Sequence, residues 1–303
     1  MDTPSLIGLS NWGIAMELRN ENAVVVSVDG FERGINSQRY LSGVDDSAFQ
    51  KRILCEGDSW FSIGAIPSSN LLVPLKFAET TLLYNLAKPG DTIRNMSDIA
   101  SNPVLNKLIA DPVFSSKWDA IFISGGGNDL IDRVGQILCK PSVGAGSHML
   151  DYVNGFELAK FKVDLQKGYK KIAAMRTGKN EKTPIVAHVY DYPTPRDAKA
   201  KFLAFGLAGP WLYNALKSAD IPVDKWISLV DYIFESLGST IIDLSGQIDN
   251  FHVISNTRET LVRARLGTTG DDGDWLNEIH PNAGGYAKLA EVISPELYHL
   301  LYP

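Results

Sequence analysis

The sequence predicts an α/β fold, a three-layer α/β/α sandwich on a parallel sheet, and three observations carry that expectation. From residue 51 onward short apolar runs alternate with longer amphipathic stretches. The runs are continuous rather than alternating in polarity, as expected of strands covered on both faces. The stretches between them place apolar residues at three- and four-residue steps, the period of a helix with one buried face. Strands and helices in alternation form parallel sheets joined by crossover helices.

The elements follow in order. Residues 1–50 form a β-rich N-terminal extension in which Ala23-Val24-Val25-Val26-Ser27-Val28 is a strand candidate and Asp29-Gly30 a turn, a hairpin leaning on the main domain of residues 51–303. Strands are predicted at 52–55, 82–87, 118–124, 184–189 and 250–254, and helices at 96–110, 155–177 and 226–242. A last helix follows His280-Pro281 and runs through 286–293, with Pro281 near its first turn, where a missing N–H costs nothing. Residues 139–150, rich in Gly and Ser, and 192–213, mixing prolines, charges and aromatics, read as insertions. Loops at the carboxyl ends of strands form the crevice of such a fold, so both are candidates to shape a pocket, with ordinary surface loops as the equal alternative.

Composition narrows the function classes. The 303 residues suffice for one sizeable domain or two modest ones, and 45% hydrophobic with 21% charged residues is ordinary for a soluble globular chain. A net charge of −6 with no Lys/Arg block argues against nucleic acid as a partner. Cys55 and Cys139 lie on or near apolar runs and read as free thiols, not a disulfide or a metal pair. No apolar stretch reaches membrane-spanning length, and Met1-Asp2-Thr3-Pro4 does not open a leader peptide. The expectation is a soluble protein, cytoplasmic or secreted with its leader removed.

Four short pieces carry chemistry. Gly57-Asp58-Ser59 follows an apolar run, so a tight turn at Gly57 lifts the Ser59 hydroxyl to the sheet's edge; the competing reading is a helix N-cap. Asp58 reads as a residue that stabilises this turn. Gly90, in Lys88-Pro89-Gly90-Asp91, is either a bare backbone N–H facing a ligand or a simple Pro-Gly turn. Gly125-Gly126-Gly127-Asn128-Asp129 ends a strand in a turn followed by an amide that can donate to an oxyanion. A phosphate loop fails there, because no Lys-Ser/Thr follows and the G-x-G-x-x-G spacing is not met. Of the five histidines only His280 combines a loop with a following proline and helix start; His188 and His252 lie in strand-like runs and read as core. A neutral imidazole there can take a serine proton and return it to a leaving group.

In this order and these contexts, the four pieces resemble the four blocks of the SGNH hydrolases, the GDSL lipase/esterase family, across residues 57 to 281. The resemblance implies a flavodoxin-like parallel sheet with the site at the strands' carboxyl ends. It further implies a serine esterase of carboxylesterase or acetylesterase type: Ser59 as nucleophile, His280 as base, an oxyanion hole of the Ser59 and Gly90 N–H groups and the Asn128 amide, and no metal or other cofactor. A small-molecule, carbohydrate or lipid ester is the implied partner, and a lipase or thioesterase is a variant of the same reading.

The chain departs from the family pattern twice. Asn277 stands where the family has an aspartate three residues before the histidine. Either Asn277 orients His280 with a backbone carbonyl assisting, a Ser–His dyad, or Asp274 folds back to serve, or the protein binds esters or glycans without cleaving them. Glu278 is expected at the surface. Trp60 replaces the family's leucine after the serine; with Trp275 it is a candidate for the substrate pocket, core packing being the alternative.

Overall fold

The computed structural model describes residues 18–27, 48–62, 69–112, 117–141, 148–202 and 206–303. Six strands, β1 (Ala23–Ser27), β2 (Lys51–Gly57), β3 (Thr81–Asn85), β4 (Ala120–Ser124), β5 (Ile185–His188) and β8 (Phe251–Ile254), form one sheet in the order β1-β3-β2-β4-β5-β8. Every pairing in it is parallel. A separate antiparallel hairpin joins β6 (Ala200–Phe202) to β7 (Gly206–Ala208). The long helices are α5 (Gly155–Ala174), α7 (Val223–Ile242) and α8 (Ala283–Leu301); short ones are α1 (Ile93–Met96), α2 (Pro103–Ala110), α3 (Gly127–Ile131), α4 (Val134–Ile137) and α6 (Leu212–Ser218). Among the described residues, no helix is long and apolar enough to cross a membrane.

The sheet has helices on both faces, and handedness explains how they divide. The chain moves one way from β2 to β3, then the other way through β4, β5 and β8. Right-handed crossovers therefore put the β2–β3 connection on one face and α1, α2, α5 and α7 on the other. Helix α8 returns to the first face, where Ser294 Oγ accepts from the Lys76 N–H at 2.9 Å. Burial agrees: every residue of β3, β4 and β5 is buried, which is why these strands read as unbroken apolar runs.

The reversal of direction makes β2 and β4 neighbours whose following loops diverge to opposite faces, the topological switch point at which open α/β sheets hold their ligands. Gly57 and Ser124 are register partners at the carboxyl ends of these two strands. A Cβ on Gly57 would lie 2.8 Å from the Ser124 carbonyl oxygen and 2.9 Å from Ser124 Cβ. Glycine is required here by close approach, and not, as the sequence suggests, by an unusual turn conformation.

Several expectations change. Strand β1 is a strand of the main sheet, paired in parallel with β3; the Asp29-Gly30 turn and the second arm of the expected hairpin lie outside the described residues. The predicted helix 96–110 is two helices, because Pro103 starts α2 at its first position with Asn102 capping Leu105 N–H. Helix α8 begins after Pro281, at an Asn282 cap that accepts from Gly285 N–H. His252 is exposed and bonded to Asn250 Oδ1 at 3.0 Å, since β8 is an edge strand of the sheet. Cys55 is buried and Cys139 half-buried, both free.

Gly57→Ala is expected to lower unfolding free energy by roughly 1–3 kcal/mol, the usual cost of overpacking a tight contact against backbone. Denaturant unfolding checks it, with Gly135→Ala, where a Cβ would meet nothing within 4 Å, as the control expected to leave stability nearly unchanged.

Candidate active site

Three strand ends and one loop bring the predicted residues together. Backbone bonds join the ends: Asp58 N–H donates to Ser124 O at 3.1 Å and Lys88 N–H to Gly57 O at 2.9 Å. Ser59 follows β2 in a turn, with no helix over Trp60 to Ser62, so the N-cap reading does not hold. The Asp58 carboxylate reaches past Ser59 to accept Trp60 N–H at 2.9 Å, and Asp58 O accepts from Phe61 N–H at 3.2 Å. The nucleophile candidate is thus enclosed in a side-chain-to-backbone turn.

Ser59 Oγ lies 2.7 Å from His280 Nε2, and His280 Nδ1 lies 2.9 Å from Asn277 Oδ1. The same Asn277 oxygen accepts the N–H groups of Ile279 at 3.1 Å and His280 at 3.0 Å. Flipping the amide would set its NH₂ against two backbone donors, so Oδ1 faces the ring. His280 therefore carries its proton on Nδ1 and presents a bare Nε2 to the serine. This avoids the wrong-tautomer problem an asparagine can cause in a triad. Asp274 is elsewhere: its Oδ2 accepts from Val262 N–H and Lys288 Nζ, both at 2.6 Å.

His280 is 2% exposed, and burial alone pulls its pKa down to about 4. The imidazole is therefore neutral near pH 7, the form a general base needs, and its Nδ1 faces the uncharged amide oxygen of Asn277.

The other two blocks lie alongside. Gly90 has φ +78° and is exposed; the turn needs a glycine, and a Cβ would meet nothing. Among the described residues, no acceptor takes the N–H of Ser59 or Gly90. The Asn128 amide donates to Asp91 O at 2.9 Å, which leaves its second N–H hydrogen for another acceptor. Asp129 links these blocks: its carboxylate accepts Ile93 N–H at 2.8 Å at the start of α1, and burial pushes its pKa up to about 6.

Ser59, Trp60, Asn128, Ile131, Phe234 and Trp275 line a cleft whose cavity is only about 20 Å³. Both tryptophans are also core, Trp60 4% and Trp275 1% exposed, while an edge of each lines the cleft. Trp60 further ties the serine turn to the histidine loop, its Nε1 donating to Ile279 O at 3.2 Å.

Sequence reasoning missed the groups that hold the histidine loop. Glu278 is fully buried and accepts from the N–H groups of Arg196, Trp211, Leu212 and Tyr213. Burial pushes its pKa up to about 7 against those bonds. It lies inside because the 192–213 insertion wraps the histidine loop instead of standing off as a surface loop. Arg196, 1% exposed, donates to Asn277 O at 2.8 Å and Trp275 O at 3.1 Å. The hint in the sequence was Arg196, a charged residue set directly after Pro193-Thr194-Pro195 in that insertion.

No family model and no curated protein matches the sequence. Among solved structures, the chain is similar to a carbohydrate acetylesterase family member from Sinorhizobium meliloti, at 15% identity over 83% of this chain and 99% of that one, with a TM-score of 0.47. It is similar to a lipase from a goat rumen metagenome, at 16% identity over 82% and 98%, with a TM-score of 0.45. An acetylxylan esterase from Geobacillus stearothermophilus matches at 12% identity over 82% and 94%, with a TM-score of 0.41.

Asn277→Asp is expected to place an anion on His280 Nδ1, and an opposite charge at this range raises a pKa by about 1–3 units. Nitrogen NMR of the His280 ring should show its titration moving up from about 4 by that amount. A titration left in place would mean that the imidazole's charge is set by burial alone.

Proposed function

We propose that the protein is a serine ester hydrolase working through an acyl-enzyme, selective for short acyl groups. The observation that carries this reading is the contact of Ser59 Oγ with a neutral His280 Nε2 at 2.7 Å, the ring fixed from behind by Asn277 Oδ1. His280 takes the Ser59 proton as the hydroxyl oxygen attacks the ester carbonyl. The N–H groups of Ser59 and Gly90 and the Asn128 amide receive the oxyanion. Collapse expels the alcohol, which takes the proton from His280. A water, deprotonated by the same ring, then releases the acid and restores Ser59.

The cleft supports the acyl preference. Its cavity is small, about 20 Å³, and is edged by Trp60 and Trp275, which favours an acyl group of acetyl size over a long chain. A substrate's alcohol side has no such limit, which keeps small and carbohydrate acetate esters within the class. A second reading, an ester- or glycan-binding protein without turnover, draws on Asn277: its neutral amide supplies no charge to the imidazolium that forms as the serine is deprotonated.

Turnover of p-nitrophenyl esters and fluorophosphonate labelling test both readings. Wild type should hydrolyse the acetate and label, Ser59→Ala should do neither, and kcat/KM should fall steeply from acetate to octanoate. A folded wild type that neither turns over nor labels would leave the binding reading. Asn128→Ala should lower kcat about 10²–10³-fold with little change in KM, as removal of an oxyanion donor does; a change confined to KM would move Asn128 out of the oxyanion hole.

A further inference from the structure

Behind the serine turn lies a second set of polar side chains, all in the core. Asp58 is 2%, Tyr190 4%, and Ser124 and His188 0% exposed. Ser124 Oγ lies 3.1 Å from Asp58 Oδ1, 3.0 Å from His188 Nε2 and 3.3 Å from Tyr190 Oη. The Tyr190 hydroxyl donates to Asp58 Oδ2 at 2.5 Å, and His188 Nδ1 lies 3.0 Å from Val189 O. Buried polar groups of this kind are costly unless fully paired, so the hydrogens can be counted.

Val189 O only accepts, so His188 carries hydrogen on Nδ1. Setting aside the longer Ser124 Oγ–Tyr190 Oη approach at 3.3 Å, four contacts then need one hydrogen each: Nδ1 to Val189 O, Nε2 to Ser124 Oγ, Ser124 Oγ to Asp58 Oδ1, and Tyr190 Oη to Asp58 Oδ2. A neutral imidazole, two hydroxyls and an ionised carboxylate bring three. The set closes only with one further proton between Asp58 and His188.

We propose that Tyr190, Asp58, Ser124 and His188 are positioning residues for Ser59, a buried chain that shares one extra proton and thereby holds the nucleophile turn. The inference rests on the hydrolase reading for its kinetic consequence and on geometry for the rest. With the proton on Asp58, the carboxyl donates to Ser124 and Ser124 donates to His188, while Asp58 still accepts from Tyr190 and Trp60 N–H. Burial disfavours charge on both Asp58 and His188, pushing Asp58 up to about 6 and His188 down to about 4, so that below about pH 6 the carboxyl, and not the ring, holds the proton. Asp129, on α3, adds a like charge that works in the same direction. Tyr169 on α5 and Tyr286 on α8 face Asp58 from the two helical layers, each pushed well up by burial and, to a smaller extent, by its charge. When the proton leaves, one of the four bonds is lost directly beneath Ser59.

Ser124→Ala cuts the chain at its centre yet keeps the backbone carbonyl that accepts Asp58 N–H, and Tyr190→Phe removes one donor. Both full-length variants are checked for a cooperative melt and assayed on p-nitrophenyl acetate from about pH 5 to about pH 9. In each, kcat should fall roughly ten- to a hundredfold with KM within about twofold, the pattern of a displaced nucleophile. In Tyr190→Phe the Asp58 ionisation should move to higher pH, because the hydroxyl stabilises the anion more than the acid.

Carbon NMR of the wild-type Asp58 carboxyl and nitrogen NMR of His188 should show one shared step and an Nδ1–H ring. Folded variants with unchanged kcat, or Asp58 and His188 titrating independently, would overturn the proposal. A wild type that neither hydrolyses nor labels would sink the hydrolase reading alone. The shared step would then decide the chain by itself, as it would if the variants fail to fold.

Discussion

The carboxyl end of the sheet is governed by one constraint: loops that leave its buried central strands carry backbone N–H groups that cannot be left unpaired. Each orphaned donor costs about 1–3 kcal/mol, and there is no further strand to receive it. The chain supplies the acceptors from side chains. Asp58 takes Trp60 N–H, Asp129 takes Ile93 N–H, and Asn277 takes Ile279 and His280 N–H. Asp191 takes four, from Tyr192, Glu259, Thr260 and Leu261, and Glu278 takes four more. The loops around Ser59 and His280 are therefore fastened by oxygens rather than by packing alone, and the serine–histidine contact inherits its precision from them.

The same oxygens set the electrostatics. A carboxyl group that is drawn into the core to collect N–H donors is desolvated, and its pKa rises: Asp58 and Asp129 to about 6, Glu278 to about 7. Burial lowers His280 by the same physics, to about 4. Against an unfolded carboxylate near 4, the raised groups stabilise the fold fully at low pH. That contribution is lost as pH climbs toward their folded values. An imidazole lowered from about 6.5 acts oppositely, and its cost appears as pH falls below that value. The neutral orienter fits this setting: Asn277 fixes the His280 tautomer without adding another charge to a dry, crowded site.

Trp60 shows how one residue serves several of these demands. Its ring stacks on His188 at 5.6 Å and meets Tyr190 and Tyr286 edge-on, its indole nitrogen holds the histidine loop, and its edge lines the cleft. The bulky residue after the serine therefore joins the serine turn, the buried polar chain and the cleft beside Ser59, and leaves that cleft small.

What the sequence determined by itself was whatever depends on local pattern. Five apolar runs marked the main-sheet strands from 51 onward, though not the β6–β7 pair, because strands buried on both faces need no polar alternation. Turn chemistry placed Ser59, Gly90 and Asn128 beyond three of them and His280 before the last helix. The four single-residue signals lie near one another in space because the elements that carry them converge. Tertiary structure alone decided the rest. It chose Asn277 over Asp274, since only the packed loop shows which oxygen faces Nδ1 and which is taken by Lys288. It drew Glu278 inside, because the 192–213 insertion folds over the histidine loop from far along the chain. It made Ser124 the partner of both Asp58 and His188: a polar residue in an apolar run signals that a partner exists, but 66 and 64 residues separate it from these two. Hydrogen-bond partners so distant are set by sheet order and register, which no local window of sequence contains.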